Sequence, residues 1–283
     1  MAYEEAINVL QEGAVMAESG PMRLIISSFI GKVPQMEMNV RAAKEAFVYL
    51  RRIGELQDRL KRHYSSLPGN LEDPLALEMI QSTLAVGDQD LTPMAAVAGT
   101  IADAVADFLY DRGMTRVVVN NGGDISVRLS GKETVRVGIR EDILSEAFSR
   151  VVVLNAERRS WGVATSGLGG RSLTRGIASA ATVIAQRASV ADAAATAVAN
   201  ASFVAHDQVI CRKAETVDPW TDIPELPVTV EVCALNREIK VIAVSHAMKR
   251  ARELVERGII LGGFVAVAGE TKMTDFFRRC LVD

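Results

Sequence analysis

The stretch VNNGGDI at residues 119–125 joins two β-prone segments, 116–120 and 124–129. Paired glycines permit the positive φ angles that a two-residue hairpin turn needs, so the stretch predicts an antiparallel hairpin. Strands grouped around such turns, without regular alternation with helices, favour an α+β fold over a doubly wound parallel sheet. Similar β-prone segments are predicted along the chain at 22–30, 133–140, 150–155, 160–165 and 180–186.

Helices are predicted on both sides of these strands, from apolar residues at helical spacing and from capping residues. Asp73 before Pro74 and Thr92 before Pro93 are typical N-caps, and Pro68-Gly69 is expected to end the first helix. The helices are expected at 36–64, 74–86, 92–112, 189–203 and 245–257.

The C-terminal part begins with a proline-containing stretch without periodicity at 206–227, which predicts a long surface loop. Strands are expected at 228–234, 238–244 and 259–268, followed by a polar tail. This organisation predicts a single domain over 1–283, with subdomains 1–205 and 206–283 that meet at the loop.

Composition restricts the function classes. Lys+Arg number 32 and Asp+Glu 35, so the chain offers no global attraction to nucleic acid or to an anionic membrane. No apolar run reaches the roughly 18 residues that span a bilayer, and the acidic N-terminus does not look like a signal peptide. The three cysteines have no paired spacing, so we expect reduced thiols without a disulfide, in a soluble cytoplasmic protein.

A second informative stretch is WGVATSG at 161–167, which continues into Gly169-Gly170-Arg171. A strand that ends in Thr165-Ser166-Gly167 presents hydroxyls and uncovered backbone amides, which suit a phosphate or the edge of a heterocycle. Arg171 and Arg175 are candidates to supply positive charge to a phosphate. The alternative interpretation is a flexible surface loop, just as the Gly122-Gly123 stretch fits an ordinary hairpin turn.

A third stretch, SVADAAAT at 189–196, places Asp192 and Thr196 on the same face of a helix. A carboxylate and a hydroxyl presented together are hard oxygen ligands of the kind that Mg²⁺ prefers. The competing interpretation is a capping box, in which Asp192 pairs with Ser189 to close the start of its own helix.

Taken in order, these stretches resemble the ApbE family of FAD:protein FMN transferases. The family pattern runs Asn-Ala-Gly-Gly-Asp, Ala-Thr-Ser-Gly, Thr-Val-(Ile/Val)-Ala and Ala-Asp-Ala-Leu-Ala-Thr-Ala. The matching segments are NNGGD at 120–124, ATSG at 164–167, TVIA at 182–185 and ADAAATA at 191–197. The resemblance covers about 90 to 205 and looks closest to a divergent branch without the lipoprotein signal.

The resemblance implies a duplicated T-fold-like α+β architecture with antiparallel sheets, packed helices and a central cleft for FAD. It implies Mg²⁺ at Asp192 and Thr196, and transfer of FMN to a threonine of a protein acceptor. It also implies that a nucleotide-like ligand is contacted by residues of the glycine-rich stretches and their surroundings, namely Gly99, Asn121, Gly122, Gly123, Asp124, Thr165, Ser166, Gly167 and Arg171.

Two departures from the family pattern bear on activity. In the stretch MAAVAG at 94–99, Ala98 stands where the family has a lysine, and a short loop at 168–180 replaces the family's His-Ile-Ile-Asp-Pro segment. Three functions therefore stay open. The first is an ApbE-like protein that binds a flavin nucleotide or another phosphorylated ligand with Mg²⁺, with FMN transfer as its activity. The others are a different enzyme or accessory protein in sulfur assimilation towards homocysteine, and a scaffold with a vestigial cleft.

Overall fold

The computed structural model describes residues 3–63 and 71–282. Antiparallel pairing dominates the fold, and the largest sheet runs in the order β1-β2-β3-β5-β6-β9-β10-β13-β14, with β4 paired to β3. The strands of that sheet are β1 (Glu5–Val9), β2 (Val15–Ser19), β3 (Met22–Ile30), β4 (Val33–Pro34), β5 (Arg116–Asn121), β6 (Asp124–Leu129), β9 (Ser160–Ser166), β10 (Ala180–Ala185), β13 (Gly262–Val267) and β14 (Glu270–Met273).

Two smaller sheets complete the strand inventory of the described residues. One pairs β7 (Thr134–Ile139) with β8 (Arg150–Asn155) and β15 (Leu281–Val282), and the other pairs β11 (Val209–Lys213) with β12 (Pro227–Val232). The helices are α1 (Met36–Glu55), α2 (Gln57–Leu60), α3 (Pro74–Val86), α4 (Val97–Tyr110), α5 (Ala188–Ala201), α6 (Arg237–Glu256) and α7 (Asp275–Cys280). The mixed architecture confirms the predicted α+β class.

The large sheet separates two cores. On one face, helices α1, α3, α4, α5 and α6 bury side chains such as Ile101 and Val244 against strand residues such as Val119. On the other face, the sheet of β7, β8 and β15 and helix α7 enclose a second cluster that includes Trp161 and Phe264. Alanines supply most of the buried surface of α5, so this helix packs close to its neighbours.

Two glycines permit close packing around the first turn of α5. A Cβ on Gly99 of α4 would lie 2.2 Å from the carbonyl oxygen of Ala188, and one on Gly162 of β9 would lie 2.2 Å from the backbone of Arg187. Contacts this short exclude any side chain. The first turn of α5 is therefore pressed between the start of α4 and strand β9.

The local signals in the sequence are confirmed. Gly122 and Gly123 form the turn between β5 and β6, with φ angles of +68° and +119°. The side chain of Asp73 caps α3, and the hydroxyl of Thr92 caps a short 3₁₀ turn (Pro93–Ala96) that leads into α4.

The three cysteines are free. Among the described residues, no helix combines the length and hydrophobicity that crossing a bilayer requires.

Several predictions for the flanking regions are wrong. The segment 238–244 belongs to α6, because Asn236 caps this helix and its apolar residues pack at helical spacing. The stretch 206–227 is not a continuous loop, since it contains β11, and the expected polar tail instead forms β14, α7 and β15. Strands β1 and β2 were not predicted.

The first helix is shorter than predicted, because α1 ends at Glu55 and the separate turn α2 follows it. The expected stop at Pro68-Gly69 lies outside the described residues. The subdomain boundary near residue 205 stays a prediction.

Candidate functional site

Three segments that are distant in sequence meet at one edge of the large sheet. Asp124 begins β6 directly after the glycine turn, and its carboxylate accepts a hydrogen bond from the backbone N–H of Thr165 near the end of β9. Asp192 lies on α5, and its Oδ2 accepts the backbone N–H of Gly99 at 2.9 Å. The structure thus brings the hairpin turn, the Thr-Ser-Gly strand end and the Asp-Thr helix together, as the sequence order suggested.

Asp192 caps a helix other than its own. It accepts hydrogen bonds from the N–H groups of Ala98 and Gly99, which lie in the first turn of α4. The capping-box interpretation is therefore wrong: Arg187 is the N-cap of α5, and the hydroxyl of Ser189 donates to Glu78 at 2.9 Å. A carboxylate at this place interacts favourably with the positive end of the α4 dipole.

The two carboxylates are nevertheless poorly compensated. Burial raises the pKa of Asp124 to about 7, and the Thr165 N–H and the charge of Arg171 only partly oppose it. Burial also raises the pKa of Asp192 well above its usual range, and the negative charge of Asp124 adds to the effect. Burial of both acids, together with the charge of Asp124 acting on Asp192, makes this a place where a cation is favoured.

Thr196 lies one turn further along α5, on the same side as Asp192. Its hydroxyl donates to the backbone carbonyl of Asp192 at 3.2 Å, so the lone pairs of the hydroxyl oxygen stay available as ligands. Asp192, Thr196 and Asn200 repeat every four residues and are all partly exposed, whereas most of α5 is buried. The accessible face of α5 is therefore a narrow polar stripe that starts at Asp192.

The turn residues lie beside this pair of acids. Asn121 donates its side-chain N–H to the carbonyl of Ala98 at 3.1 Å, which ties β5 to the start of α4. The guanidinium of Arg171 lies against Gly122, 3.0 Å from the place where a Cβ would be, and donates to the carbonyl of Pro21 at 3.2 Å. Gly123 donates its N–H to the Asn120 side chain at 2.9 Å, which closes the turn.

The Thr165-Ser166-Gly167 segment contributes mainly backbone. The hydroxyl of Thr165 is bonded to that of Thr182 at 2.9 Å, and Ser166 has no side-chain hydrogen bond to the part of the chain that the structure describes. Gly167 has a φ of +158°, and a Cβ there would lie 2.8 Å from the carbonyl of Ala178. Arg175 is turned away, because it forms an ion pair with Asp90.

The donor set fits a hard divalent cation. In residues 3–63 and 71–282, no group of three or more His, Cys, Asp and Glu side chains could hold a metal ion. The pair formed by Asp124 and Asp192, together with the Thr196 hydroxyl, offers oxygen donors only. Magnesium uses such ligands and completes its shell with water and ligand phosphates, so two carboxylates are sufficient.

The sequence indicated Asp124, Asp192 and Thr196 as site residues but not the proximity of the two acids. It assigned Asp124 to the ligand and not to a pair with Asp192, because no spacing in the sequence links β6 to α5. It also missed Asp103 of α4, a fully buried acid that bonds to both β6 and α5. The only signal for Asp103 is its position four residues after Gly99, on the same side of α4.

Two cavities lie apart from these acids. One of about 370 Å³ opens at the far end of β6 and is bordered by Asp107, Arg128 and Arg187, whose charges are paired. The other, of about 240 Å³, lies where the polar stripe of α5 ends, at Asn200 and Phe203. The candidate site lies apart from both cavities, and the polar stripe of α5 leads from it towards the smaller one.

Comparison with known proteins supplies a family and a fold. A family model described as AbpE bacteria matches residues 7–273. Among solved structures, the chain is similar to the ApbE protein of Thermotoga maritima, with a TM-score of 0.52 and 13% identity over 99% of this chain and 100% of that one. The flavin transferase ApbE of Vibrio cholerae gives a TM-score of 0.51 with the same identity and coverage. At this identity the likeness shows the fold alone.

Curated relatives resemble only part of the chain. A UPF0280 protein of Methanococcoides burtonii is 36% identical over 139 residues, which is 47% of this chain and 56% of that protein. A UPF0280 protein of Archaeoglobus fulgidus is 44% identical over 108 residues, 38% of this chain and 43% of that protein. The chain spans about half the length of the curated relatives it matches.

Proposed function

The chain belongs to the AbpE bacteria family, and on that premise we propose that it binds a flavin nucleotide together with Mg²⁺ in a flavin transferase-type site. The family confirms the ApbE resemblance of the sequence, and the UPF0280 relatives fit a divergent branch of it. The proposal extends to FMN transfer from FAD to a threonine of a protein acceptor.

One observation supports the proposal above all others: Asp124 and Asp192 meet without a directly bound cation among the described residues. Both carboxyls have raised pKa values, because burial disfavours their charged forms and the charge of Asp124 adds to this effect at Asp192. An acid pair that served only to stabilise the fold would be expected to have an arginine or lysine in contact. Binding of a divalent cation removes this repulsion and makes the pair favourable.

The assigned ligands are Asp124, Asp192 and the hydroxyl of Thr196. A magnesium ion in this position supplies Lewis-acid stabilisation to the phosphate oxygens of the nucleotide. Thr196 already donates its proton to the Asp192 carbonyl, so its oxygen is oriented as an acceptor. The N–H groups of Ala98 and Gly99 hold the Asp192 carboxylate in place from the start of α4.

The surrounding residues suit the phosphates. The Arg171 guanidinium lies against Gly122 of the glycine turn, and its charge acts on Asp124. Guanidinium groups bind phosphate with two parallel hydrogen bonds, which gives both charge and orientation. Because Gly122 has no side chain and a φ of +68°, the arginine and a ligand can both approach the turn.

A titration of FAD fluorescence against the protein tests binding. We expect binding in the presence of Mg²⁺ and a loss of at least about tenfold in affinity when EDTA removes the cation. Asp124→Asn and Asp192→Asn should each remove the magnesium dependence, whereas Asp111→Asn, which removes an exposed acid of α4, should not. Binding that does not depend on magnesium, with both variants like wild type, would contradict the metal site.

Transfer is tested separately. Incubation with FAD, Mg²⁺ and a threonine-bearing acceptor protein should leave flavin fluorescence on the acceptor in a denaturing gel. Tight, magnesium-dependent FAD binding without any covalent flavin would limit the function to nucleotide binding. That outcome would agree with the absence of the lysine at position 98.

A further inference from the structure

Asp103 of α4 is completely buried, and its two carboxylate oxygens are shared among three secondary structure elements. Its Oδ1 accepts the Ser126 hydroxyl of β6 at 2.7 Å and the guanidinium of Arg128 at 2.9 Å. Its Oδ2 accepts the backbone N–H of Ser189 at the start of α5 at 2.9 Å. One side chain thus joins α4, β6 and α5.

Each of these elements carries a group of the candidate site. On α4, Gly99 lies one turn before Asp103 and donates to Asp192. On β6, Asp124 lies two residues before Ser126, and residues two apart point to the same face of a strand. On α5, Asp192 lies three residues after Ser189, in the first turns of the helix.

Two carboxylates need an external constraint to stay close once both are deprotonated. In that state Asp124 and Asp192 repel each other without a cation, and the hydrogen bonds of Asp192 reach only α4. Asp103 supplies the missing connection, because it fixes β6 and α5 to the same point on α4. Its own charge is compensated by Arg128 and Arg187, whose guanidinium nitrogens lie 2.9 and 3.4 Å away.

We infer that Asp103 is a positioning residue that holds Asp124 and Asp192 at the separation needed to bind a divalent cation. The inference rests on the proposed function, since it takes the acid pair as the metal site. Outer groups that orient metal ligands commonly change metal affinity by 10–100-fold when they are removed, so on the order of tenfold is the effect expected here.

The chain offers a matched control in Asp107, one turn further along α4. Its carboxylate binds the same two arginines, Arg128 and Arg187. In contrast to Asp103, its side chain is hydrogen-bonded neither to the Ser126 hydroxyl nor to the α5 backbone. Asp107→Asn therefore removes one acid from the same ion network and leaves the bonds of Asp103 to Ser126 and to the Ser189 backbone in place.

The experiment compares the midpoint of magnesium binding in wild type, Asp103→Asn and Asp107→Asn, measured by thermal shift over a Mg²⁺ titration. We expect Asp103→Asn to weaken magnesium binding by about tenfold or more and Asp107→Asn by less than about twofold. Ser126→Ala is the neutral variant: it removes one of the two bonds from Asp103 to β6, leaves the bond to Arg128, and should weaken magnesium binding without a change of charge. Equal midpoints in all variants would overturn the inference.

A second measurement does not depend on magnesium. In metal-free protein, the Gly99 N–H is protected from hydrogen exchange by Asp192 and not by Asp103 itself. A positioning role predicts faster exchange at Gly99 in Asp103→Asn and in Ser126→Ala, but not in Asp107→Asn. Unchanged exchange at Gly99 refutes the positioning role. If exchange at Gly99 is faster in these two variants but the wild-type protein does not respond to Mg²⁺, the positioning role is kept and the proposed function is refuted instead.

Discussion

Helices α4 and α5 and strand β6 carry buried and partly buried acids at two places, and only one of the two groups has arginine partners. Asp107 is partly buried, which acts to raise its pKa, but the hydrogen bonds and charges of Arg128 and Arg187 outweigh burial and hold the pKa below its usual range. Asp124 is also partly buried, yet no arginine binds it directly, and burial raises its pKa to about 7. The same fold therefore compensates one group of acids and leaves the other without a counter-ion.

The contrast separates stability from function. Acids that only hold elements together are expected to be paired, because an unpaired buried charge is costly. The Asp103–Asp107 group meets this expectation, and the Asp124–Asp192 pair does not. Acids that are left without counter-ions in this way are common in ligand sites, and this supports the proposed metal site at Asp124 and Asp192.

The largest expected effect on stability comes from removing an arginine that compensates Asp103 and Asp107. Arg128→Met removes the guanidinium that binds both Asp103 and Asp107 and leaves Asp103 buried beside one remaining arginine. Loss of one partner of a buried ion pair costs about 3–5 kcal/mol of the free energy of unfolding. Urea denaturation measures this loss. A change below about 1 kcal/mol, the range of an exposed pair, would mean that Arg187 compensates Asp103 alone.

A smaller effect on stability is expected at Gly99, where α4 and α5 pack closely. In Gly99→Ala, the new methyl group would meet the Ala188 carbonyl at 2.2 Å and force α5 away from α4. Overpacking of this kind costs about 1–3 kcal/mol, and it should also weaken magnesium binding through Asp192.

The matched control is Gly54→Ala in α1, where the added methyl group meets no atom within 4 Å. Alanine in a helix interior is more favourable than glycine by about 0.5–1 kcal/mol, so this variant should be slightly stabilised. A Gly99→Ala protein as stable as Gly54→Ala would show that α5 is not pressed against α4.

The lack of a counter-ion at Asp124 should appear in the pH dependence of the free energy of unfolding. The folded pKa of Asp124 is about 7, above the ordinary value of 3.8, so the folded chain keeps a proton that the unfolded chain releases within this window. The free energy of unfolding should therefore fall as pH rises through the window and level off above about pH 7. Asp124→Asn should flatten this slope.

Magnesium should reverse the loss, because it binds the deprotonated carboxylates. At about pH 8 and ten times the Kd, the expected gain is about 1.4 kcal/mol, and near pH 5 it should be much smaller. Thermal denaturation at both pH values, with and without Mg²⁺, measures it. A gain of the same size at both pH values, or one that persists in Asp124→Asn, would contradict metal binding by these acids.

Local signals explain what could be predicted from the sequence. Gly122-Gly123 and the caps Asp73 and Thr92 act within a few residues, so the hairpin and two helix starts were identified correctly. The strand prediction for 238–244 was wrong, because its apolar residues suit a strand, whereas the Asn236 cap and the packing of α6 against β13 favour the helix. Such a choice depends on residues that lie elsewhere in the chain.

The site was predictable only in part for the same reason. Motif order located Asp124 and Asp192 but gave no distance between them, and nothing in the sequence indicates which acids have an arginine. Asp103 and Asp192 are both acids of alanine-rich helices, and only the fold places Arg128 beside one and not beside the other. The difference in compensation, which carries the functional proposal, is thus a property of tertiary structure.

The smallest expected effect distinguishes the contribution of burial to stability from that of the ion pair alone. Asp111 follows Asp107 by one turn of α4 and pairs with Arg159 at 3.2 Å, but both side chains are more than 60% exposed. Exposed pairs contribute little, since solvent screens them and ordering the side chains costs entropy, so Asp111→Asn should change stability by about 0.5 kcal/mol or less. Asp107→Asn, which removes a more buried acid from the same helix, should cost clearly more in the same urea titration. Equal losses would mean that burial of an acid does not change what its ion pair contributes to stability. The contrast between the paired acids and Asp124 would then lose its physical basis.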